Sequence, residues 1–253
     1  MTTPARPMIE VQDLYKSFGS HQVLTGINLV IPEGSTCVIL GGSGSGKTVL
    51  MKHMIGLLKP DKGQVIVDGE DIVPLSVERL EQTRRKFGMV FQAAALFDSM
   101  TVFENVSFPL REHRKDLKEE QIRELVKQKL GIVGLKNVEE KFPADLSGGM
   151  RKRVGLARAI VLDPKIVLYD EPTTGLDPIT TDYVDEMILD AKKQLGVTSV
   201  VISHDIASAF KVADNIAFLY QGRIVDQGPP AKLRTSEHPA VKVFLQTWFG
   251  KND

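Results

Sequence analysis

Residues 41–48, Gly-Gly-Ser-Gly-Ser-Gly-Lys-Thr, are of the types and at the spacing needed to hold a polyphosphate. The run fits G-x-x-x-x-G-K-[ST] and directly follows the apolar stretch Thr36-Cys37-Val38-Ile39-Leu40. A strand, a glycine-rich loop and a helix opening at Lys47 are therefore expected in succession. Gly41, Gly42, Gly44 and Gly46, with Ser43 and Ser45 between them, let backbone N–H groups turn toward one anion. The helix N-terminus adds its positive end at the same place. Lys47 would reach the β- and γ-phosphates, and the Thr48 hydroxyl would bind Mg²⁺. The alternative is a flexible Gly/Ser turn; the strand before and the helix after favour a nucleoside triphosphate.

A second group could do the chemistry. Ile166-Val167-Leu168-Tyr169-Asp170-Glu171 is an apolar strand ending in two carboxylates, and ligands of open α/β sheets lie beyond the carboxyl ends of strands. Neighbouring strand residues point to opposite sides, so the two can take different work. Asp170 would hold Mg²⁺ through its water shell, while Glu171 would orient and polarise the attacking water. Pro172 then stops the ladder. Upstream, Leu146-Ser147-Gly148-Gly149-Met150 leads into Arg151-Lys152-Arg153-Val154, where a helix should begin. Ser147 can cap it, and the two glycines allow close approach to an anion. The order along the chain is the phosphate loop, Gln92, Ser147-Gly148-Gly149, Asp170-Glu171, Asp177 and Ser203-His204-Asp205.

The elements that must position these residues alternate. Short strands are expected from about Ile9 to Ile31 around a turn at Phe18-Gly19-Ser20, then turns at Pro32-Glu33-Gly34, Pro60-Asp61-Lys62-Gly63 and Asp68-Gly69. A strand is expected at Gly88 to Phe91. The stretch from about Ala93 to Ala159 turns helical, with Asp116-Leu117-Lys118-Glu119 resembling a capping box. Ile122, Leu125, Val126, Lys129 and Leu130 then give that helix one mainly apolar face. Asp177 should cap a helix with Pro178 at its first position, Val184, Met187, Ile188, Ala191 and Leu195 inside, and Gly196 at its end. Strands alternating with helices imply a parallel sheet covered on both faces.

Composition narrows the partners. Among 253 residues, 32 Lys and Arg balance 32 Asp and Glu, so no bulk positive field suggests nucleic acid. The single cysteine, Cys37, cannot close an intrachain disulfide and reads as a small buried hydrophobe in a reducing compartment. Met1 to Met8 has no apolar signal region, and no uninterrupted apolar run approaches a membrane span. A soluble chain, held at a membrane only by something else, is the expectation.

With these motifs in order, the chain resembles the ATP-binding cassette (ABC) family of transporter ATPases over nearly all its length. The resemblance implies ATP and Mg²⁺ as ligands. It implies an α/β fold: a P-loop, RecA-like core with a parallel sheet, an N-terminal antiparallel β subdomain and an inserted α-helical subdomain. On that pattern residues 1–92 form the β subdomain and phosphate-loop core, 93–159 the helical subdomain, 160–228 the rest of the core, and 229–253 a tail. Two such domains pair head to tail, so ATP on one phosphate loop is covered by Ser147, Gly148 and Gly149 of the other. Gln92 resembles the loop residue that senses the γ-phosphate and Mg²⁺, His204 the switch histidine, and Asp177 the loop that communicates across the dimer. Phe18 lies where the family stacks an aromatic ring on adenine, with Tyr15 a nearby competitor. The family's usual signature ends Ser-Gly-Gly-Gln, whereas this chain has Met150, a departure that leaves the anion-facing residues intact.

Such an ATPase needs a separate permease, and the apolar segment Ala95 to His113 is the natural contact, with packing in its own helical lobe as the alternative. The run from Phe91-Gln92 to Asn105-Val106, with Pro109-Leu110-Arg111-Glu112-His113 and Leu146 to Met150, is similar to the ATPase subunits of Mla phospholipid-transport systems. These belong to a wider group serving permeases that work with Mce-domain carriers. This implies a peripheral place on the cytoplasmic face of a bacterial inner membrane, in a complex of two ATPases, two permeases, a ring of Mce-domain subunits and a STAS-domain protein. Other readings are the ATPase of an importer or exporter for another small substrate, and a non-transport cassette protein. In the tail, Val241, Phe244, Leu245, Trp248 and Phe249 either pack on their own domain or dock on a neighbour.

Overall fold

The computed structural model describes residues 6–249, with side chains to residue 246. Its elements are β1 (Pro7–Phe18), β2 (His21–Pro32), β3 (Thr36–Leu40), α1 (Lys47–Met54), β4 (Lys62–Val67), β5 (Glu70–Asp71), α2 (Val77–Arg84), β6 (Phe87–Val90), α3 (Val102–His113), α4 (Glu119–Ile132) and α5 (Gly148–Ala159). Then follow β7 (Ile166–Asp170), α6 (Pro178–Leu195), β8 (Thr198–Ser203), α7 (Ile206–Val212), β9 (Asn215–Tyr220), β10 (Arg223–Gly228), α8 (Pro230–Arg234) and α9 (Pro239–Phe249). They form two compact units: residues up to Arg84 with those from Thr198 onward, and Arg85–Val197.

In the first unit β2-β1-β4-β5 make an antiparallel sheet. Its first two strands are 12 residues each, longer than the short strands expected, because β1 absorbs register shifts at Val11/Leu14, Leu14/Tyr15 and Lys16/Ser17. The core strands run β10-β9-β3-β8. Strand β3 pairs in parallel with β8 and β9 on either side, and all of its residues are buried, as a fully covered parallel strand requires. The amides before it are caught by side chains: Gly34 N–H donates to Thr198 Oγ1 at 2.9 Å and Thr36 N–H to Asp214 Oδ2 at 2.6 Å. Burial, with Asp214 adding to it, pushes the Cys37 thiol up to about 12, so it stays an inert apolar group. In the tail, Val241 and Leu245 are buried and the Phe244 ring meets Phe218 edge-on at 5.1 Å. The described part of α9 therefore packs on its own unit; the Trp248 and Phe249 side chains fall outside the described residues.

In the second unit β6 and β7 pair in parallel. Gly88 is forced by this packing, since a β-carbon there would lie 2.3 Å from the Ala159 carbonyl oxygen. Helices α3, α4 and α5 follow β6 in the stretch expected to be helical. The cap at Asp116 is not made. Arg114 takes both Asp116 oxygens, at 2.9 and 2.8 Å, so the helix starts at Glu119 and Gln121 Oε1 accepts the Lys118 N–H instead at 2.8 Å. A reciprocal box forms earlier, where Thr101 Oγ1 accepts from Glu104 N–H at 3.2 Å and Glu104 Oε2 from Thr101 N–H at 2.7 Å. Helix α6 is as expected: Asp177 caps it, Pro178 follows, and Gly196 closes it at φ 65°.

His53 on α1 is buried, with Nδ1 2.7 Å from the Val49 carbonyl. Burial, reinforced by Lys16, holds its pKa below the ordinary histidine value against the pull of the Val49 carbonyl. The unfolded chain takes up the proton first as pH falls, so the stabilising effect is complete above the ordinary value and fades below it. Unfolding by urea should therefore show a midpoint that falls as the pH drops through and below about 6.5. His53→Gln should flatten that slope; a slope equal to the parent's would assign it to other groups.

Candidate functional site

The first unit carries the phosphate loop. Gly46 caps α1 in the left-handed region at φ 104°, and Leu50 N–H donates to its carbonyl at 2.8 Å. A β-carbon on Gly46 would stand 2.9 Å from Leu24 Cδ2, and one on Gly41 would stand 2.3 Å from the Leu219 carbonyl oxygen. Gly41 is thus required by close packing against backbone, and Gly44 at φ 75° and Gly46 by their backbone conformation. Lys47 is only 6% exposed, and its Nζ donates to the carbonyls of Gly41 at 2.9 Å and Gly42 at 3.1 Å. The ammonium is therefore held inside the turn of the loop. Ser45 Oγ is buried with no hydrogen-bond partner, and Thr48 is exposed. A buried ammonium, an unmatched hydroxyl and a helix N-terminus form a donor set that fits a polyphosphate.

Two aromatics flank the start of this unit's antiparallel sheet. Tyr15 lies over Gly26, where a β-carbon would meet its hydroxyl at 2.8 Å, and Lys62 Nζ is 5.4 Å from its ring. Phe18, 48% exposed at the end of β1, has Lys16 Nζ at 5.6 Å from its ring. His204 is exposed directly after β8.

The second unit carries the carboxylates. Asp170 ends β7, half-buried, and Glu171 follows with φ 50°. That backbone costs a non-glycine residue roughly 1–2 kcal/mol and redirects the side chain from the strand's alternation. Thr174 Oγ1 donates to Glu171 Oε2 at 2.8 Å, and Thr174 N–H to the Glu171 carbonyl at 3.3 Å. Sequence reasoning did not single out Thr174; its signal is a hydroxyl three residues after the carboxylate, across a proline turn.

The Ser147 turn and the Asp177 loop share one cavity of about 620 Å³, lined by Ser147, Gly148, Gly149, Lys152, Gly175 and Asp177 among others. Ser147 Oγ accepts from Met150 N–H at 3.3 Å, and Arg151 Nη1 donates to the Leu146 carbonyl at 2.6 Å. Asp177 accepts from the amides of Ile179 and Thr180, both at 3.0 Å. The Thr180 hydroxyl leads these bonds in holding its carboxyl below the ordinary range.

Gln92 is exposed after β6, and Ala94 and Ala95 beyond it are both left-handed, at φ 61° and 47°. A hub fixes this bend. Asn105, fully buried, donates from Nδ2 to the carbonyls of Phe97 and Met100 at 3.1 Å and Thr101 at 3.0 Å, and accepts Phe97 N–H at 2.9 Å. Arg158 on α5 donates to the Ala94 carbonyl at 2.8 Å and to Asn105 Oδ1 at 3.4 Å. The segment expected to be either a docking surface or core is partly buried and partly exposed. Val102, Phe103, Val106 and Leu110 are buried, while Phe97 (43%) and Phe108 are exposed with their rings 5.2 Å apart.

The family model for ABC transporters matches residues 24–174. The chain is 39% identical over 238 residues to the intermembrane phospholipid transport system ATP-binding protein MlaF of Escherichia coli, covering 94% of this chain and 88% of that one. It is 48% identical over 242 residues to a probable ribonucleotide transport ATP-binding protein, mkl, of Mycobacterium tuberculosis, covering 96% and 67%. Among solved structures it resembles cbiO1 of Clostridium perfringens, part of an ABC transporter complex, with a TM-score of 0.85 and 30% identity over 97% of each chain. A dimeric ATP-binding cassette in a post-hydrolysis state bound to ADP and Pi matches with a TM-score of 0.78 and 32% identity, over 88% of this chain and 99% of that one.

Removing the Asn105 side chain would leave one amide and three carbonyls of the bend without it. Asn105→Ala should cost about 1–3 kcal/mol, since the Phe97 N–H and the Met100 carbonyl lose their side-chain partner while the Phe97 and Thr101 carbonyls keep backbone donors. Equilibrium urea unfolding measures this, and a loss under about 1 kcal/mol would mean water replaces the amide.

Proposed function

This chain belongs to the ABC transporter family and is an ATPase of it, and from that premise we propose that it powers a permease moving phospholipid between two membranes. The observation that carries the substrate is the likeness to MlaF, which spans 94% of this chain and 88% of the relative. A relative from Arabidopsis thaliana, the chloroplastic protein TRIGALACTOSYLDIACYLGLYCEROL 3, is 43% identical over 94% of this chain. The mycobacterial likeness, at 48% identity, supports a second reading in which the cargo is a ribonucleotide. No described helix is long and apolar enough to cross a membrane, so the passage belongs to a partner. Phe97 and Phe108 offer that partner an exposed aromatic pair. The cytoplasmic face of an inner membrane, with Mce-domain and STAS-domain subunits in the complex, is the setting this reading takes from Mla systems.

The residue roles follow from chemistry, chain order and family membership. Lys47 and the amides of residues 41–48 bind the triphosphate, with Lys47 exchanging loop carbonyls for phosphate oxygens. Phe18, the more exposed of the two rings, offers its face to adenine. Thr48, Asp170 and Gln92 would hold Mg²⁺, which when bound neutralises charge on the β- and γ-phosphates. Glu171 takes a proton from the attacking water, with Thr174 steadying its carboxylate. His204 reaches the γ-phosphate. Ser147, Gly148 and Gly149 complete the site of a second copy, and Asp177 lines the same cavity.

Three outcomes test this. Glu171→Gln should keep ATP binding and lower turnover by a factor on the order of 10² to 10⁴, as loss of a general base does; turnover at the parent rate would remove Glu171 from that role. Lys47→Ala should weaken ATP binding at least about tenfold by calorimetry, because a charge-assisted phosphate contact is lost; unchanged affinity would contradict it. With its permease in liposomes, the chain should move labelled phospholipid only with ATP. ATP-driven ribonucleotide uptake without lipid movement would establish the second reading instead.

A further inference from the structure

Lys152 lies on α5, five residues beyond Ser147, and is 7% exposed. Its Nζ donates to the carbonyl of Pro172, the residue after Glu171. Burial holds its pKa below the ordinary lysine value, so an ammonium has been taken out of water at a cost. The hydrogen bond described for it ends beside the carboxylate assigned to the chemistry. Pro172 has no N–H to donate, so the backbone at residue 172 can be anchored only through its own carbonyl. Glu171 itself is left-handed at φ 50°, a backbone that persists only where surroundings hold it. Thr174 holds the Glu171 carboxylate and carbonyl, and Lys152 holds the next carbonyl along, that of Pro172.

We propose that Lys152 is a positioning residue whose bond to the Pro172 carbonyl ties the Ser147 helix to the Glu171 turn. Seating of Ser147, Gly148 and Gly149 on one nucleotide thereby sets the carboxylate that acts on the other nucleotide of the dimer. A helix moves as a rigid rod, so a shift at its N-terminus is delivered to Lys152 little changed. The lysine then passes it to residue 172 of the same chain. The proposal rests on the roles given above to Glu171 and Ser147.

The test uses the assembled transporter with two differently tagged copies of the chain, purified through both tags. Glu171→Gln in one copy leaves a single working carboxylate, and the first turnover is read as a burst of released phosphate. Lys152→Met in the copy that keeps Glu171 should slow that burst about tenfold, the scale of a small misplacement of a catalytic group. The same substitution in the other copy, which lends its Ser147 turn to the working nucleotide, should leave the burst within about twofold. Each assembly contains one Lys152→Met copy, so a general loss of stability cannot produce the difference. Equal slowing from either copy, slowing only from the copy lending Ser147, or no slowing at all would overturn the proposal. A parent-like burst with Glu171→Gln in both copies would instead overturn the role of Glu171.

Discussion

Gly41 has no room for a β-carbon, because the Leu219 carbonyl oxygen would lie 2.3 Å from it. That contact follows from the sheet. Parallel pairing sets Leu40 opposite Phe218, which carries Leu219 to the point where the chain leaves β3. The other end of the loop is closed in the same way, with Gly46 against Leu24 and the Val23 carbonyl. Strand β2 is itself pinned, since Thr25 N–H donates to the Gly222 carbonyl at 2.9 Å and a β-carbon on Gly222 would meet the Val23 carbonyl at 2.5 Å. Strand register, hairpin and phosphate loop therefore fix one another. The loop's shape is set before any ligand arrives, so little ordering remains to oppose binding.

The second unit positions its residues with polar groups placed in the interior. Buried polar groups are costly unless satisfied, which makes each one a strong constraint on shape. Asn105 touches four backbone groups, its two N–H hydrogens shared among three carbonyls, and so ties together the course of residues 97–101. Arg158 extends the hub to Ala94, stacks over the Phe97 ring at 5.8 Å, and lies on the same helix as Ser147. One helix thus carries the Ser147 turn at its start and supports the exposed aromatic pair near its end.

Legibility in the sequence followed range. The phosphate loop, the Ser147 cap and the Asp177 cap each depend on neighbours within a few residues and have the local structure their types dictate, whereas the strand ends at Asp170 and Glu171 leaves its alternation in the left-handed region. Asp116 misled because a competing partner, Arg114, was two residues away and a bidentate ion pair outweighs a cap. Lys152 read as one member of a basic run at a helix start, and only the fold turns it inward to Pro172. Asn105 stood among large apolar residues and gave no periodic signal. Thr174 needed the left-handed turn at Glu171 before its hydroxyl could reach back. The tail gave its helical spacing but not its partner, which is Phe218.

Met150 shows how the same constraints tolerate a change of side chain. The family's usual glutamine is absent here, yet the Ser147 cap is made to the Met150 amide, which every residue except proline supplies. The next bond, from Arg151 to the Leu146 carbonyl, also leaves the residue 150 side chain aside. Met150 is half-buried, and an unbranched thioether fills such space without demanding a hydrogen-bond partner. A buried glutamine amide would need both its donors and its acceptor matched. The geometry of the Ser147 turn therefore rests on backbone and on Arg151. The side chain at residue 150 can vary without disturbing either bond.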